Sequence, residues 1–234
     1  MAIIDFHSHI LPGADHGSSS LENSLSQLAL MKNMGTSFAV ATPHFYPNAH
    51  TPEQFFNKVT RALDQLNSAS PFPSPTLFLG AEVLVCHNLE DMEGLDSLCI
   101  KGTKVLLLEL PFEPLAEKHI DTVEALIAAE YTVVLAHIDR YIKKYSDTID
   151  AMLELGALAQ INAEGLEHFG TRRKLMGYIK NTDRVCALGS DLHGDNAKSY
   201  KRFVKCQKIL GEHFNIIMSR TGALLKNAET VKFE

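Results

Sequence analysis

His7-Ser8-His9 near the start of the chain and Asp191-Leu192-His193 near its end each place two metal-ligating side chains two residues apart. On an extended segment such residues point to the same side, and imidazole nitrogen with carboxylate oxygen suits divalent transition metals. Residues of the same types, His44, Glu82, Glu109 and His137, stand at or just after the ends of other short apolar runs. Glu82 follows Leu77-Phe78-Leu79-Gly80-Ala81 and Glu109 follows Val105-Leu106-Leu107-Leu108, where an unpaired carboxylate carries a large desolvation penalty. An arginine or a helix end would satisfy either glutamate. Nearby cations would do so better, since a carboxylate has two oxygens and can bridge two ions. These residues outnumber the ligands of one tetrahedral ion, so two or three metals are implied. The corresponding chemistry is metal-assisted hydrolysis. His50, His87, His119, His168 and His213 lack such company and read as ordinary polar residues.

Positioning these groups requires strands that end together. Short apolar or β-branched runs at residues 2–6, 38–42, 76–81, 105–110, 132–136, 158–162 and 185–189 read as strands. Helical periodicity fills 21–34, 52–67, 116–130, 147–155, 171–180, 197–210 and 212–226. Ser19 or Ser20 can cap the first helix, and Thr51 with Pro52 the second. Strict alternation predicts an α/β fold with a mostly parallel sheet, and seven units without a glycine-rich phosphate loop favour a distorted seven-stranded (β/α) barrel. In a parallel barrel all strand carboxyl ends share one face, which gathers the ligand types into one site. Pro71, Pro73 and Pro75 read as a rigid surface connection inside a single domain spanning 1–234.

Composition narrows the function further. Against 28 acidic residues stand 22 basic ones, a net charge of -6, which argues against nucleic acid as a partner. The start of the chain lacks the basic flank and apolar stretch of a signal peptide, and no apolar run reaches spanning length, so membrane insertion is not expected and a cytoplasmic location is. Cys86, Cys99, Cys186 and Cys206 show neither close pairing nor zinc-finger spacing. A cysteine-dependent phosphatase needs arginine six residues after its nucleophile; Met92, Val105, Leu192 and Glu212 occupy those places.

Taken together, His7-Ser8-His9-Ile10-Leu11-Pro12-Gly13-Ala14-Asp15-His16-Gly17, Thr42-Pro43-His44, Gly80-Ala81-Glu82, Ala136-His137-Ile138-Asp139-Arg140 and Ser190-Asp191-Leu192-His193 resemble the PHP (polymerase and histidinol phosphatase) superfamily. Within it, they look most like the bacterial tyrosine phosphatases of capsule and exopolysaccharide systems. The resemblance implies a trinuclear site, manganese foremost, with iron, zinc or magnesium as alternatives. It assigns His7, His9, Glu82 and Asp191 to one metal, Glu82, Glu109 and His137 to a second, and His16, His44 and His193 to a third. Relatives often carry two aspartates where Asp15-His16 stands; His16 is taken as the ligand, which leaves Asp15 as a supporting group or general acid. Arg140 is the phosphate clamp by the bidentate fit of guanidinium to phosphate. A second arginine that relatives often carry after the Asp-x-His pair is replaced by Lys198. The implied substrate is a phosphotyrosine protein, the tyrosine-rich tail of a membrane-associated kinase. Phe45, Tyr46 and Tyr141 flank ligand positions, but aromatic residues at strand ends are core or rim fillers at least as often, and none is assigned to the site. A small-molecule phosphatase of the histidinol-phosphate type is the alternative, followed by a nuclease and a non-catalytic metal-binding scaffold.

Overall fold

The structure, a computed structural model, describes residues 2–69, 75–112, 114–194 and 197–231. Pro71 and Pro73 lie outside them; Pro75 directly precedes a strand. In chain order the strands are β1 (Ile3–Ser8), β2 (Thr36–Ala41), β3 (His44–Phe45), β4 (Thr76–Leu79), β5 (Glu82–Leu84), β6 (Val105–Glu109), β7 (Thr132–Leu135), β8 (Leu158–Asn162) and β9 (Val185–Gly189). Among the described residues seven α-helices lie between or after them: α1 (Leu21–Asn33), α2 (Pro52–Ser68), α3 (Glu117–Ala128), α4 (Ser146–Leu155), α5 (Phe169–Asn181), α6 (Ala197–Leu210) and α7 (Glu212–Leu224).

All pairings between these strands are parallel, in an α/β arrangement. The sheet departs from the seven strands read in the sequence, because the described residues form nine strands in two sheets, ordered β1-β2-β4 and β3-β5-β6-β7-β8-β9. The two additional strands, β3 and β5, follow breaks just beyond β2 and β4. Beyond β2, Pro43 has no N–H to continue a ladder. Beyond β4, Gly80 N–H still bonds the Ala41 carbonyl at 2.9 Å, but Ala81 N–H turns to Leu98 O at 3.1 Å. The chain re-enters pairing as β3 and β5, with His44 directly opposite Glu82. Backbone bonds also run from β1 to the segment after β9: Asp191 N–H to His7 O at 2.9 Å and His9 N–H to Leu192 O at 3.1 Å.

β6 and β9 are buried along their whole length, as expected of strands covered on both faces. Helix entry follows the predicted chemistry. The Ser20 hydroxyl accepts from Asn23 N–H, and Thr51 and Gln54 exchange side-chain to backbone hydrogen bonds in a capping box with Pro52 in the first turn. No helix among the described residues is long and apolar enough to cross a membrane.

Candidate metal centre

β1 delivers the first ligand pair by alternation. Ser8 turns toward β2, where its hydroxyl donates to Val40 O at 2.9 Å, and His7 and His9 on either side of it are fully buried. Their Nε2 atoms lie 3.0 Å apart. Glu82 Oε2 is 3.4 Å from His7 Nε2 and 3.3 Å from His9 Nε2, and Asp191 Oδ1 stands at 3.4 and 3.3 Å from the same two atoms. Ligands bound at about 2.0–2.2 Å to one ion are separated by about 3.0–3.6 Å for six- or four-fold coordination. Each histidine nitrogen therefore has the spacing of a co-ligand to the other and to both carboxylate oxygens. His137 Nδ1 and His193 Nε2 are buried without a hydrogen-bond partner, a costly condition that a cation beside the donor set would relieve. This donor set fits divalent metals.

Glu82 is the hub. Its Oε1 lies 2.7 Å from His137 Nε2, and its Oε2 lies 2.8 Å from His44 Nδ1. Glu109 stands farther out, 3.8 Å from His44 Nδ1 and 3.7 Å from His137 Nε2. Donor atoms come together in four overlapping groups: His7, His9 and Glu82; His7, His137 and Asp191; His44, Glu82 and Glu109; and His9, His44 and His193. Of the first set implied by the family resemblance, His7, His9 and Glu82 come together, while Asp191 joins His7 and His137. In the second, His44 joins Glu82 and Glu109, while His137 joins His7 and Asp191. In the third, His9 joins His44 and His193; the His16 ring stacks on His44 at 4.7 Å and lies 4.8 Å from His193, at the edge of the cluster.

The surrounding backbone is shaped to this cluster. His137 and Asp191 have positive φ, 32° and 49°, a conformation uncommon for non-glycine residues that persists only where the surroundings impose it. Gln160 Oε1 accepts the His137 N–H at 2.6 Å, and Gln160 Nε2 donates to Asn162 Oδ1 at 2.8 Å. Asn162 Nδ2 in turn donates to Asp191 Oδ2 at 2.9 Å. Beneath β1, Asp5 Oδ1 accepts Ser190 N–H at 2.9 Å. Sequence reading assigned no role to Gln160 and Asn162, although two amides two apart on the otherwise apolar Leu158–Asn162 strand were a usable signal. Close packing is equally specific: a Cβ at Gly17 would lie 2.0 Å from His9 Cβ, and one at Gly189 would lie 2.6 Å from His7 Cβ.

Asp15 Oδ2 lies 2.6 Å from His9 Nδ1 and accepts His44 N–H at 2.9 Å, while its Oδ1 accepts Gly17 N–H at 2.8 Å. Burial opposes its charge, but these partners prevail and hold it well below the usual carboxylate range. Arg140 pairs through Nη2 with Asp191 Oδ2 and places Nη1 3.8 Å from Glu109 Oε1. It is one wall of a cavity of about 440 Å³ that also meets His16, His44, Glu109, Asp191 and His193. Phe45 and Tyr141 are buried; Tyr46 is at the rim. A larger groove of about 700 Å³ between α4 and α5, past Asp150 and Tyr178, shares no residue with the donor groups.

Protons stand in for cations in this cluster. Burial works against a charged His7, yet Glu82 and Asp191 outweigh it and push its pKa up to about 9. His9 is likewise raised, by Asp15, Asp191 and Glu82 against burial. Burial opposes ionisation of Glu82 and Asp191 as well, but the histidines hold both well below the usual range. Glu109 moves the other way, to about 7, through burial and repulsion from Glu82.

The family model for capsular polysaccharide synthesis, CpsB/CapC, matches residues 3–231. The tyrosine-protein phosphatase YwqE of Bacillus subtilis (strain 168) is 24% identical, over 98% of this chain and 93% of its own. The tyrosine-protein phosphatase CpsB of Streptococcus pneumoniae is 26% identical over 82% and 83%. A crystal structure from work on YwqE and CpsB, described as unique metal-dependent tyrosine phosphatases, superposes with a TM-score of 0.79 at 22% identity, covering 98% of this chain and all of the other.

Proposed function

Because the chain belongs to the CpsB/CapC family of capsular polysaccharide synthesis, we propose that it is a metal-dependent phosphatase that hydrolyses phosphotyrosine on proteins. The substrate in this reading is the tyrosine-rich tail of a membrane-associated kinase that controls capsule or exopolysaccharide production, met in the cytoplasm. The observation that carries it is the set of four donor atoms from His7, His9, Glu82 and Asp191, spaced 3.0–3.4 Å in the pairs involving either histidine. The whole chain acts as one catalytic domain, its two sheets working as one distorted barrel.

His7, His9, His44, Glu82, Glu109, His137, Asp191 and His193 would hold two or three divalent ions, manganese foremost, with His16 at the edge of the set. Such ions, when bound, neutralise phosphoryl oxygens and supply a nucleophile by lowering the pKa of water. The protein's own groups do the rest. Arg140, on the cavity wall, offers its guanidinium to the phosphate. Asp15 fixes the ring of His9 and the His44 backbone; held ionised, it orients ligands and has no proton to give. A phenol leaving group with a pKa near ~10 departs with less general-acid help than an alkoxide needs.

The test is phosphate release by metal-stripped protein reloaded with manganese, zinc or magnesium, from a phosphotyrosine peptide, a phosphoserine peptide and histidinol phosphate. Turnover restored by manganese and confined to phosphotyrosine is the expected result. Preference for histidinol phosphate would reassign the substrate, and no release with any metal would remove the phosphatase reading.

A further inference from the structure

The cavity above the donor cluster has two unlike sides. Arg140, Asp191 and His193, from the ends of β7 and β9, make one side charged. On the other, Tyr46, Leu84, Pro111 and Phe112, at or just past the ends of the contiguous strands β3, β5 and β6, add apolar surface beside His44 and Glu109. The apolar side is built rather than incidental. The Tyr46 ring stacks on His44, with centroids 5.3 Å apart and planes at 16°. Its carbonyl accepts N–H groups from Ala49 at 2.9 Å and His50 at 3.1 Å, so the turn that carries it is anchored. Phe112 leaves the end of β6 two residues beyond Leu110, its predecessor a proline whose ring restricts the backbone direction. It is 82% exposed, the most exposed of the large hydrophobic residues described, although it lines the cavity. An apolar ring left in water beside a charged site lacks only a ligand that is apolar at one end and anionic at the other.

We infer that Tyr46 and Phe112 are the specificity-determining walls of this cavity, holding the aryl ring of the substrate while its phosphate lies toward Arg140 and the donor cluster. The inference rests on the phosphatase reading and adds to it where the ring binds and which residues separate aryl from alkyl phosphate monoesters. A cavity of about 440 Å³ lies within the usual range for small-molecule sites, which combine apolar walls with a few placed polar groups. Aromatic walls reward a flat ring by offset or edge contacts beyond simple burial. An alkyl phosphate gains the charged contacts alone.

Competitive inhibition by non-hydrolysable phosphonates reads this without interference from leaving-group chemistry. Phenylphosphonate, methylphosphonate and inorganic phosphate would be titrated against manganese-loaded wild type, Tyr46→Ala, Phe112→Ala and the double variant, with Tyr46→Phe and Phe112→Tyr as ring-retaining controls. In the double variant phenylphosphonate should weaken about tenfold, about 1.4 kcal/mol, while methylphosphonate and inorganic phosphate shift less than about twofold, and the ring-retaining variants should keep the wild-type preference. The KM for a phosphotyrosine peptide should rise in parallel, with kcat changing less. Equal weakening of both phosphonates, or no weakening of either, would overturn the assignment. That failure is separable from failure of the phosphatase reading, which would leave wild-type protein without phosphate release from any monoester.

Discussion

Arg140 and Asp15 both touch the donor cluster, yet their surroundings assign them opposite duties. The Arg140 side chain is 36% exposed, and its ion pair with Asp191 leaves further N–H donors toward the cavity. Asp191, for its part, keeps His7, His9 and Asn162 as partners, so folding depends little on this one pair. Arg140→Ala should therefore lower kcat/KM by about 10²–10³, the usual loss when one donor to a developing anion is removed, and shift the melting temperature by no more than about 2 °C. Arg140→Lys keeps the charge without the planar fork and should recover only part of the rate. An unchanged rate in Arg140→Ala would move phosphate binding elsewhere. Asp15 is the reverse case, 2.6 Å from His9 Nδ1 and ionised. A carboxylate that orients a metal-bound histidine typically contributes 10–100-fold in metal affinity, so Asp15→Asn should weaken manganese binding by about that factor. Calorimetric titration of the metal checks it. Unchanged affinity with a lost limb in the pH–rate profile would instead make Asp15 the general acid.

At the scale of the element, local pattern was informative and three-dimensional partnership was not. Apolar runs ending in His, Asp or Glu made the alternating architecture and the strand-end face legible, because burial and ligation leave residue types at fixed spacing. The division into nine strands was hidden: Gly80-Ala81 sit inside what reads as one strand, β3 follows Pro43 beyond the end of the strand read over 38–42, and only the partner register reveals both. Which donor groups come together was equally hidden, since His44 joins Glu82 and Glu109 through the pairing of β3 with β5. Phe112, three residues past the end of β6, carried no signal of its exposure. β8 illustrates the limit best, as it supplies no member of the donor groups but supports two of them. Gln160 accepts the N–H of His137 at a position of positive φ, and Gln160→Leu leaves that buried donor unpaired. The expected cost is about 1–3 kcal/mol, seen as a lower melting temperature together with weaker metal binding. Retention of both would mean that β7 holds His137 without help. Gly17→Ala should cost both folding and metal binding, read as a lower melting temperature and a weaker metal titration, because the added carbon meets His9 Cβ at 2.0 Å and the His9 carbonyl at 2.7 Å in a buried turn.

Across the whole molecule the donor cluster is a clasp. Its members come from β1, from β3, β5 and β6, and from the segments after β7 and β9, so metal binding ties together chain segments 184 residues apart between His7 and Asp191. Ions that bind only the folded chain add stability by mass action, about 2.7 kcal/mol at a hundredfold excess over Kd. Without metal, protons on the buried histidines take over part of that duty, and the sign of their effect follows from His7. Its pKa rises on folding from 6.5 to about 9, so its contribution is fully present below pH 6.5 and is lost as pH climbs through 9. Glu82 and Asp191 stay ionised across this window, being held below the usual range. Metal ions compete with those same protons, so their affinity moves the other way and strengthens as pH rises. Melting curves recorded between pH 6.5 and 9 should consequently show the chelator-treated protein losing stability and the manganese-saturated protein holding or gaining it. The gap between the two should widen steadily with pH. A gap that narrows would mean that the ions bind away from His7 and His9, and the ligand set would have to be redrawn around the outer residues His16, His44, Glu109 and His193.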